Sequence, residues 1–142
     1  MAKTKKDILA MLRSVGLFEG LSRRELQAIL ASAKLVDFRE GRAIVEEGAT
    51  GVGFHLILEG EAKVTVGGRS RATLRAGNYF GEMSLLDGGP RSATVTAATP
   101  VHTLSITSWA FLPLIDDYPS IARKLLIEMS RRLRAVERSI EH

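Results

Sequence analysis

Cysteine is absent from this 142-residue chain, which excludes disulfides, thiol catalysis and zinc sites built on sulfur. Histidine is nearly as scarce. His55, His102 and His142 lie at least 40 residues apart, so a metal centre or a cupin-type metalloenzyme site would have to be assembled from distant positions, and no metal is expected. No apolar run approaches the roughly 18 residues of a membrane span, and the start Met1-Ala2-Lys3-Thr4-Lys5-Lys6 has no apolar stretch behind it. Neither a signal peptide nor an anchor is expected, and the expected location is cytoplasmic. Nucleotide fingerprints of the common kinds are missing too. Gly51-Val52-Gly53 lacks the third glycine and the helix of a dinucleotide site, and there is no Walker A sequence. Phe18, Phe38, Phe54, Tyr79, Phe80, Trp109, Phe111 and Tyr118 are scattered like core or edge residues rather than gathered as a base-stacking set, which argues against a nucleic-acid reader. The acidic pairs Glu46-Glu47 and Asp116-Asp117 are adjacent, and neighbours on a strand face opposite sides, so they form no acid/base couple. With no catalytic set, a non-enzyme is expected.

What is present suffices for one folded domain. Apolar residues make up 45% and charged residues 25%, enough buried surface to offset conformational entropy in a chain of single-domain length. The net charge of +4 is unevenly spread. Residues 1–24 carry six Lys/Arg against two acids and residues 120–142 six against three, while 25–119 carry eight against eleven. Basic ends flank a mildly acidic body, as solvated helix faces would.

Two periodicities divide the chain into N-terminal helices (1–34), a β-rich body (35–106) and C-terminal helices (107–142). Ile8, Leu9, Met11, Leu12 and Val15 recur at helical spacing from Lys3 to Val15, where Gly16 should end the helix. Ser22 and Glu25 fit a capping box ahead of Leu26, Ile29, Leu30 and Ala33. Residues 43–45, 54–58, 62–66 and 71–74 then read as strands, with Gly67-Gly68 as a two-residue hairpin turn. Residues 94–98 and 101–106 form another pair of strands, broken at Thr99-Pro100. At least six short strands without alternating helices predict a mainly β fold, an antiparallel sandwich, barrel or jelly-roll-like β-roll with flanking helices. Ser108 can cap a helix over 109–117, and Pro119 suits the first turn of a final helix running to about Ile140. On that helix Ala122, Leu126, Met129, Leu133, Val136 and Ile140 form a seam of period 3.5, which needs a partner along its length: the β-body, a second copy, or both in turn.

Residues 80–94 depart from strand logic. Gly81 follows Phe80 where a missing Cβ permits close approach of a ligand or another backbone. Residues 82–86 suit a single helical turn, stopped at Asp87-Gly88-Gly89-Pro90, whose first amides would be free for an anion. Arg91 follows, able to fork two donors onto a phosphate, with the Ser92 hydroxyl beside it. Glu82 would repel a phosphate unless it faced a hydroxyl of the same ligand, and phosphate plus neighbouring hydroxyl describes a ribose phosphate. The competing reading is a Glu82–Arg91 ion pair in a roll that binds nothing.

This segment resembles the phosphate-binding cassette of cyclic nucleotide-binding domains, as found in catabolite activator-type regulators, protein kinase A regulatory subunits and cyclic nucleotide-gated channels. Phe80, Gly81, Glu82, Leu85, Pro90, Arg91, Ser92, Ala93 and Thr94 occupy the fixed positions of the family pattern. The opening Leu17-Phe18-Glu19-Gly20-Leu21-Ser22, Glu47-Gly48, Phe54 and Glu59-Gly60 extend the resemblance over nearly the whole chain. Ala49 and Val52 stand where the family often has Asp, and His55 where Tyr is common, departures that concern a turn away from the cassette.

The resemblance implies a β-roll whose C-terminal helix acts as a lid over the bound base. It implies that Glu82 accepts from the ribose 2′-hydroxyl, and that Arg91 pairs with the cyclic phosphate. Ser92 and the amides of Gly81, Met83 and Ser84 would assist. It places Arg132 over the purine, with Leu133 and Val136 as apolar lid. Ser92 is compatible with cAMP or cGMP, and bacterial members with Ser commonly take cAMP. The expected role is a sensor of a cyclic purine mononucleotide, needing no cofactor, that acts on a protein partner or effector domain and dimerises, if at all, through the last helix. Direct DNA binding is not expected, since an activator-type regulator needs roughly 60–70 further residues after its long helix for a DNA reader. The alternatives are the sensor fragment of such a regulator, or a degenerate roll serving as a dimerisation module.

Overall fold

In the computed structural model, which describes residues 3–50 and 53–140, Thr4 and Ser22 open two helices by the same reciprocal cap. The Thr4 hydroxyl accepts from the Asp7 amide at 3.1 Å while the Asp7 carboxylate accepts from the Thr4 amide at 3.0 Å. Ser22 and Glu25 repeat the exchange at 3.2 and 2.7 Å, as their spacing predicts. The helices run over Lys5–Arg13 (α1) and Arg23–Ser32 (α2). Gly16 does not stop α1, which ends at Arg13. It opens a 3₁₀ turn, Gly16–Phe18, that drives Leu17 and Phe18 into the core.

Among the described residues eight strands follow: β1 (Lys34–Phe38), β2 (Ala43–Val45), β3 (Gly53–Glu59), β4 (Ala62–Val66), β5 (Arg69–Leu74), β6 (Tyr79–Phe80), β7 (Thr94–Ala97) and β8 (Val101–Thr107). They form two four-stranded antiparallel sheets, β1-β8-β3-β6 and β2-β7-β4-β5, a β-roll flanked by helices. Gly67 and Gly68, both at positive φ, turn β4 into β5 as expected. β7 and β8 do not pair with each other. The turn at Pro100 carries the chain from one sheet to the other, and the Ala98 and Thr99 amides fasten it to the Glu61 carbonyl.

The near-continuous apolar run of β3 has a structural cause, because its sheet is covered on both faces. Phe54, Leu56 and Leu58 pack with Leu12, Phe18, Leu26, Ile29 and Phe111 under the helices, whereas Ile57 points into the roll with Val95, Ala97 and Val101. Thr107, one residue earlier than expected, caps α4 (Ser108–Asp117), and Pro119 begins α5 (Pro119–Ile140) as predicted. No helix among the described residues is long and apolar enough to cross a membrane.

The seam of α5 is turned outward. Ile121 and Leu125 are buried and Met129 partly so, while Leu126, Leu133, Val136 and Ile140 are 54–75% exposed. The period-3.5 stripe therefore meets the body at Met129 but not at Leu126, Leu133, Val136 or Ile140; Ile121 and Leu125, one residue round the helix, pack instead.

The foot of α5 is pinned to α2 by a carboxylate inherited from the capping box. Glu25, with a side chain 5% exposed, receives the Lys124 ammonium at 2.6 Å and the Ser120 hydroxyl. Burial alone would raise the Glu25 pKa, but hydrogen bonds from Lys124, Ser120 and Ser22 outweigh it and hold the carboxyl at about 2. Because the folded pKa lies below the ordinary value of 4.5, this contribution is complete above that pH and is lost as pH falls from 4.5 towards 2. The shift corresponds to about 3 kcal/mol. We expect Glu25→Gln to lower thermal stability at pH 7 and to flatten the acid limb of the stability curve; equal acid limbs in the two proteins would refute the assignment.

Candidate functional site

The site begins where β6 leaves its pairing with β3. His55 and Leu56 stand opposite Phe80 and Tyr79, and the next residue, Gly81, has φ +84°, turning the chain away from the sheet. The helical turn that follows, α3 (Ser84–Asp87), starts two residues later than the spacing suggests. It is closed by i→i−3 bonds, Ser84 amide to Gly81 carbonyl at 3.1 Å and Leu85 amide to Glu82 carbonyl at 3.3 Å. The Ser84 amide is thus spent within the turn, a correction to its expected place among the phosphate donors. The amides of Gly81, Glu82 and Met83 have no acceptor among the described residues. A four-residue helix also adds little macrodipole, which leaves the Arg91 guanidinium as the one formal positive charge of residues 80–94. Leu85, fully buried, and Ser84, also buried, plug the turn into the helical core.

Arg91 is held from both sides by its backbone. Its amide donates to the Ala49 carbonyl and its carbonyl accepts from the Gly48 amide, each at 2.9 Å. The guanidinium Nη2 donates to the Gly53 carbonyl, and Gly81 leaves room for it, since a Cβ there would meet both Arg91 and the Gly53 oxygen. Burial lowers the Arg91 pKa, and the charge of Glu82 offsets this only in part. Among the described residues Arg91 makes no ion pair with a carboxylate, so the alternative of a closed Glu82–Arg91 bridge is not what the molecule adopts.

A cavity of about 370 Å³ opens between the cassette and the second sheet, within the size range of small-molecule sites, about 300–1,000 Å³. One wall is polar, formed by Gly81, Glu82, Met83, Ser84, Arg91 and Ser92; the opposite floor is apolar, formed by Val45, Val64, Leu74 and Val95. Sequence reasoning did not single out the floor, although alternation along β4 and β5 could have marked it. Ser92 is exposed at the rim.

From α5, Arg132 reaches the cassette. Its Nη1 lies 3.7 Å from Glu82 Oε1 and 3.7 Å from Met83 Sδ. Leu133 and Val136 do not close over the cavity; they are 60% and 54% exposed, because they lie on the outward stripe of α5. His55 is a packed histidine, stacked on Phe80 at 5.1 Å and bonded through Nδ1 to Ser105 at 2.6 Å. Burial, then the charge of Arg91, lowers its pKa to about 4, so it is neutral at pH 7. His102 sits on the surface between Asp37, at 2.5 Å, and Glu59, at 3.9 Å, away from the cassette. No group of three metal-ligating side chains gathers among the described residues. Gly51, Val52 and His142 lie outside them.

Comparison with known proteins converges on one family. A family model described as cyclic nucleotide-binding domain matches residues 35–118. A cGMP-dependent protein kinase of Toxoplasma gondii is 43% identical over 86 residues, 61% of this chain and 9% of that protein. A CRP-like cAMP-activated global transcriptional regulator of Mycobacterium tuberculosis is 30% identical over 135 residues, 92% of this chain and 60% of the regulator. The chain thus spans less than two thirds of either relative. The crystal structure of the N-terminal domain of a transcriptional regulator from Streptomyces coelicolor superposes with a TM-score of 0.86 at 29% identity, covering 93% of this chain and 96% of that one.

Proposed function

Because the chain belongs to the cyclic nucleotide-binding domain family, we propose that it is a sensor module that captures a cyclic purine mononucleotide, cAMP in the first place, and relays its presence through α5. One observation carries this reading: Arg91 stands in the cavity wall without a carboxylate partner among the described residues, beside Glu82 and the Gly81 turn. Arg91 takes the cyclic phosphate, with the Ser92 hydroxyl and the amides of Gly81 and Met83 as further donors, and Glu82 accepts from the ribose 2′-hydroxyl. The apolar floor takes the less polar faces of the ligand. No catalytic step is assigned, and a cytoplasmic setting fits the reading. The preference for cAMP is supported by Ser92 and by the cAMP-activated relative; the cGMP-dependent relative makes cGMP the competitor. Calorimetric titration with each nucleotide, after unfolding and refolding to strip carried ligand, tests the proposal. Micromolar or tighter binding to one supports it; no heat with either from folded protein overturns it.

For the ligand to act, it must bind one position of α5 better than another, since equal affinity shifts nothing. The output belongs to a protein partner or an effector domain. A second reading, that the chain is the sensor portion of a transcription regulator, is favoured by its likeness to the Streptomyces N-terminal domain; the gene read past the His142 codon tests it. The outward seam of α5 suits a second copy of the chain, because Leu126, Leu133, Val136 and Ile140 follow heptad steps between charged flanks. Sedimentation should show a dimer that the double variant Leu133→Asp, Val136→Asp converts to monomer; an unaltered mass for that variant removes the seam as the interface.

A further inference from the structure

Six cations stand on and beside the first two helices: Lys3, Lys5, Lys6, Arg13, Arg23 and Arg24. All are exposed, and none makes an ion pair among the described residues. The nearby acids are committed elsewhere. Asp7 caps its own helix through Thr4, and Glu25 is buried against Lys124. The basic end of α5 is built differently, since Arg131 and Arg132 each lie 3.6 Å from Glu128. Four of the six, Lys5, Lys6, Arg23 and Arg24, occupy the first turns of α1 and α2, where the positive end of the helix dipole disfavours a cation. A surface shaped for stability alone would carry acids there. Charges that oppose the local rule, with no compensation inside the chain, mark positions held for something outside it.

Three of these cations frame a groove. Lys6, Leu9, Ala10 and Arg13 share one face of α1 at helical spacing, and Arg23 closes the groove from α2. It encloses about 310 Å³, with half-buried Leu9 and Ala10 as its apolar floor. We propose that this groove docks an acidic amphipathic helix of a partner protein, whose carboxylates meet Lys6, Arg13 and Arg23 while an apolar side chain between them covers Leu9 and Ala10. Charge complementarity selects the occupant. Lys6 and Arg13 stand about 10 Å apart along the helix axis, two turns, which suits carboxylates repeated along a helix and not one small anion. A helix lying on a membrane needs a wide apolar face turned outward, whereas α1 buries Ile8 and Leu12 in the core. A nucleic-acid strand would find no aromatic platform in this lining and has no use for an apolar floor. Neither helix face belongs to the nucleotide cavity, so the outcome leaves the sensor reading where it stands.

The probe is a blocked, helix-forming peptide of about 15 residues with Glu and Leu spaced to match the groove on an alanine background. It is titrated into the isotope-labelled full chain beside a peptide of the same composition in scrambled order. Saturable amide shifts centred on residues 6–13 and 23, weakened by added salt, are expected with the first peptide only. The double variant Lys6→Glu, Arg23→Glu should lose at least about tenfold in affinity, since it turns two attractions into repulsions. It should melt no lower than wild type, because a carboxylate in a first turn favours the dipole; a merely structural role for these cations would lower the melting temperature. Arg134→Glu, Arg138→Glu, the same charge change on exposed residues of α5, should keep wild-type affinity. Loss in the first double variant alone, with its melting temperature kept, supports the docking groove. No shifts with the spaced peptide, equal binding by the scrambled one, or equal losses in the two double variants overturn it. Phosphatidylserine vesicles or duplex DNA that shift these amides where the peptide does not also overturn it, and assign the face to a lipid surface or a nucleic acid instead.

Discussion

Arg91→Ala should weaken cyclic nucleotide binding by at least about 30-fold, because removing one partner of a buried, hydrogen-bonded charge pair typically costs 2–5 kcal/mol. Among the described residues Arg91 is the sole basic side chain lining the cavity; Arg132, which reaches Glu82 and Met83 from α5, is not part of that lining. The fold has little stake in this guanidinium. It makes no ion pair among the described residues, its one side-chain bond goes to the Gly53 carbonyl, and its backbone is tied to Ala49 and Gly48 whatever the side chain. The variant should therefore melt within a few degrees of wild type, which separates loss of binding from loss of structure. Arg91→Lys should recover little. An ammonium is a point charge that cannot fork onto a phosphate while also serving the Gly53 carbonyl, and a loss of about tenfold is expected. If Arg91→Ala, titrated calorimetrically, binds within threefold of wild type, the phosphate does not sit at this residue and the sensor assignment of the cassette fails.

The parts of this molecule that were readable in advance are those whose partners are near in sequence. Ser22 and Glu25 satisfy each other across one turn, Gly67-Gly68 sets its own hairpin, and the residues from Phe80 to Thr94 form one continuous cassette, so their spacing carries their geometry. Contacts across the fold left no such mark. Glu25 reads as half of a capping box, yet its strongest partner, Lys124, is 99 residues away. The strands on either side of Pro100 look like a hairpin because each alternates properly, but only the two-sheet topology tells which neighbours complete their hydrogen bonding. On α5 two apolar stripes lie one residue apart, Ile121-Leu125 and Ala122-Leu126-Met129-Leu133-Val136-Ile140, and only Met129 of the second packs with the first. Period alone cannot choose between them; the choice follows from Glu25 pinning Lys124 and from Arg132 on the cassette, both polar contacts between distant segments.

Gly81→Ala is expected to damage both fold and binding, and Gly77→Ala separates the causes. Both glycines have left-handed φ, +93° at Gly77 and +84° at Gly81, where an L side chain adds about 1–2 kcal/mol of strain. At Gly77 a new Cβ meets nothing within 4 Å, so Gly77→Ala should show that strain alone. At Gly81 the Cβ would stand 2.5 Å from the Gly53 carbonyl oxygen, a backbone atom that cannot swing aside, and would run into the Arg91 guanidinium. Gly53 belongs to β3, paired with Thr107 of β8, so relief must come from the cassette turn. That turn carries Glu82, and the displaced guanidinium is the one proposed to hold the phosphate. We expect Gly81→Ala to lose about 3 kcal/mol or more of stability and at least about tenfold in nucleotide affinity, a loss equivalent to 1.4 kcal/mol. Gly77→Ala should bind as wild type does. Thermal melts and titrations of the two variants side by side make the comparison. If they lose equal stability and both bind normally, the close approach of Gly81 to Gly53 and Arg91 is not what shapes the cassette.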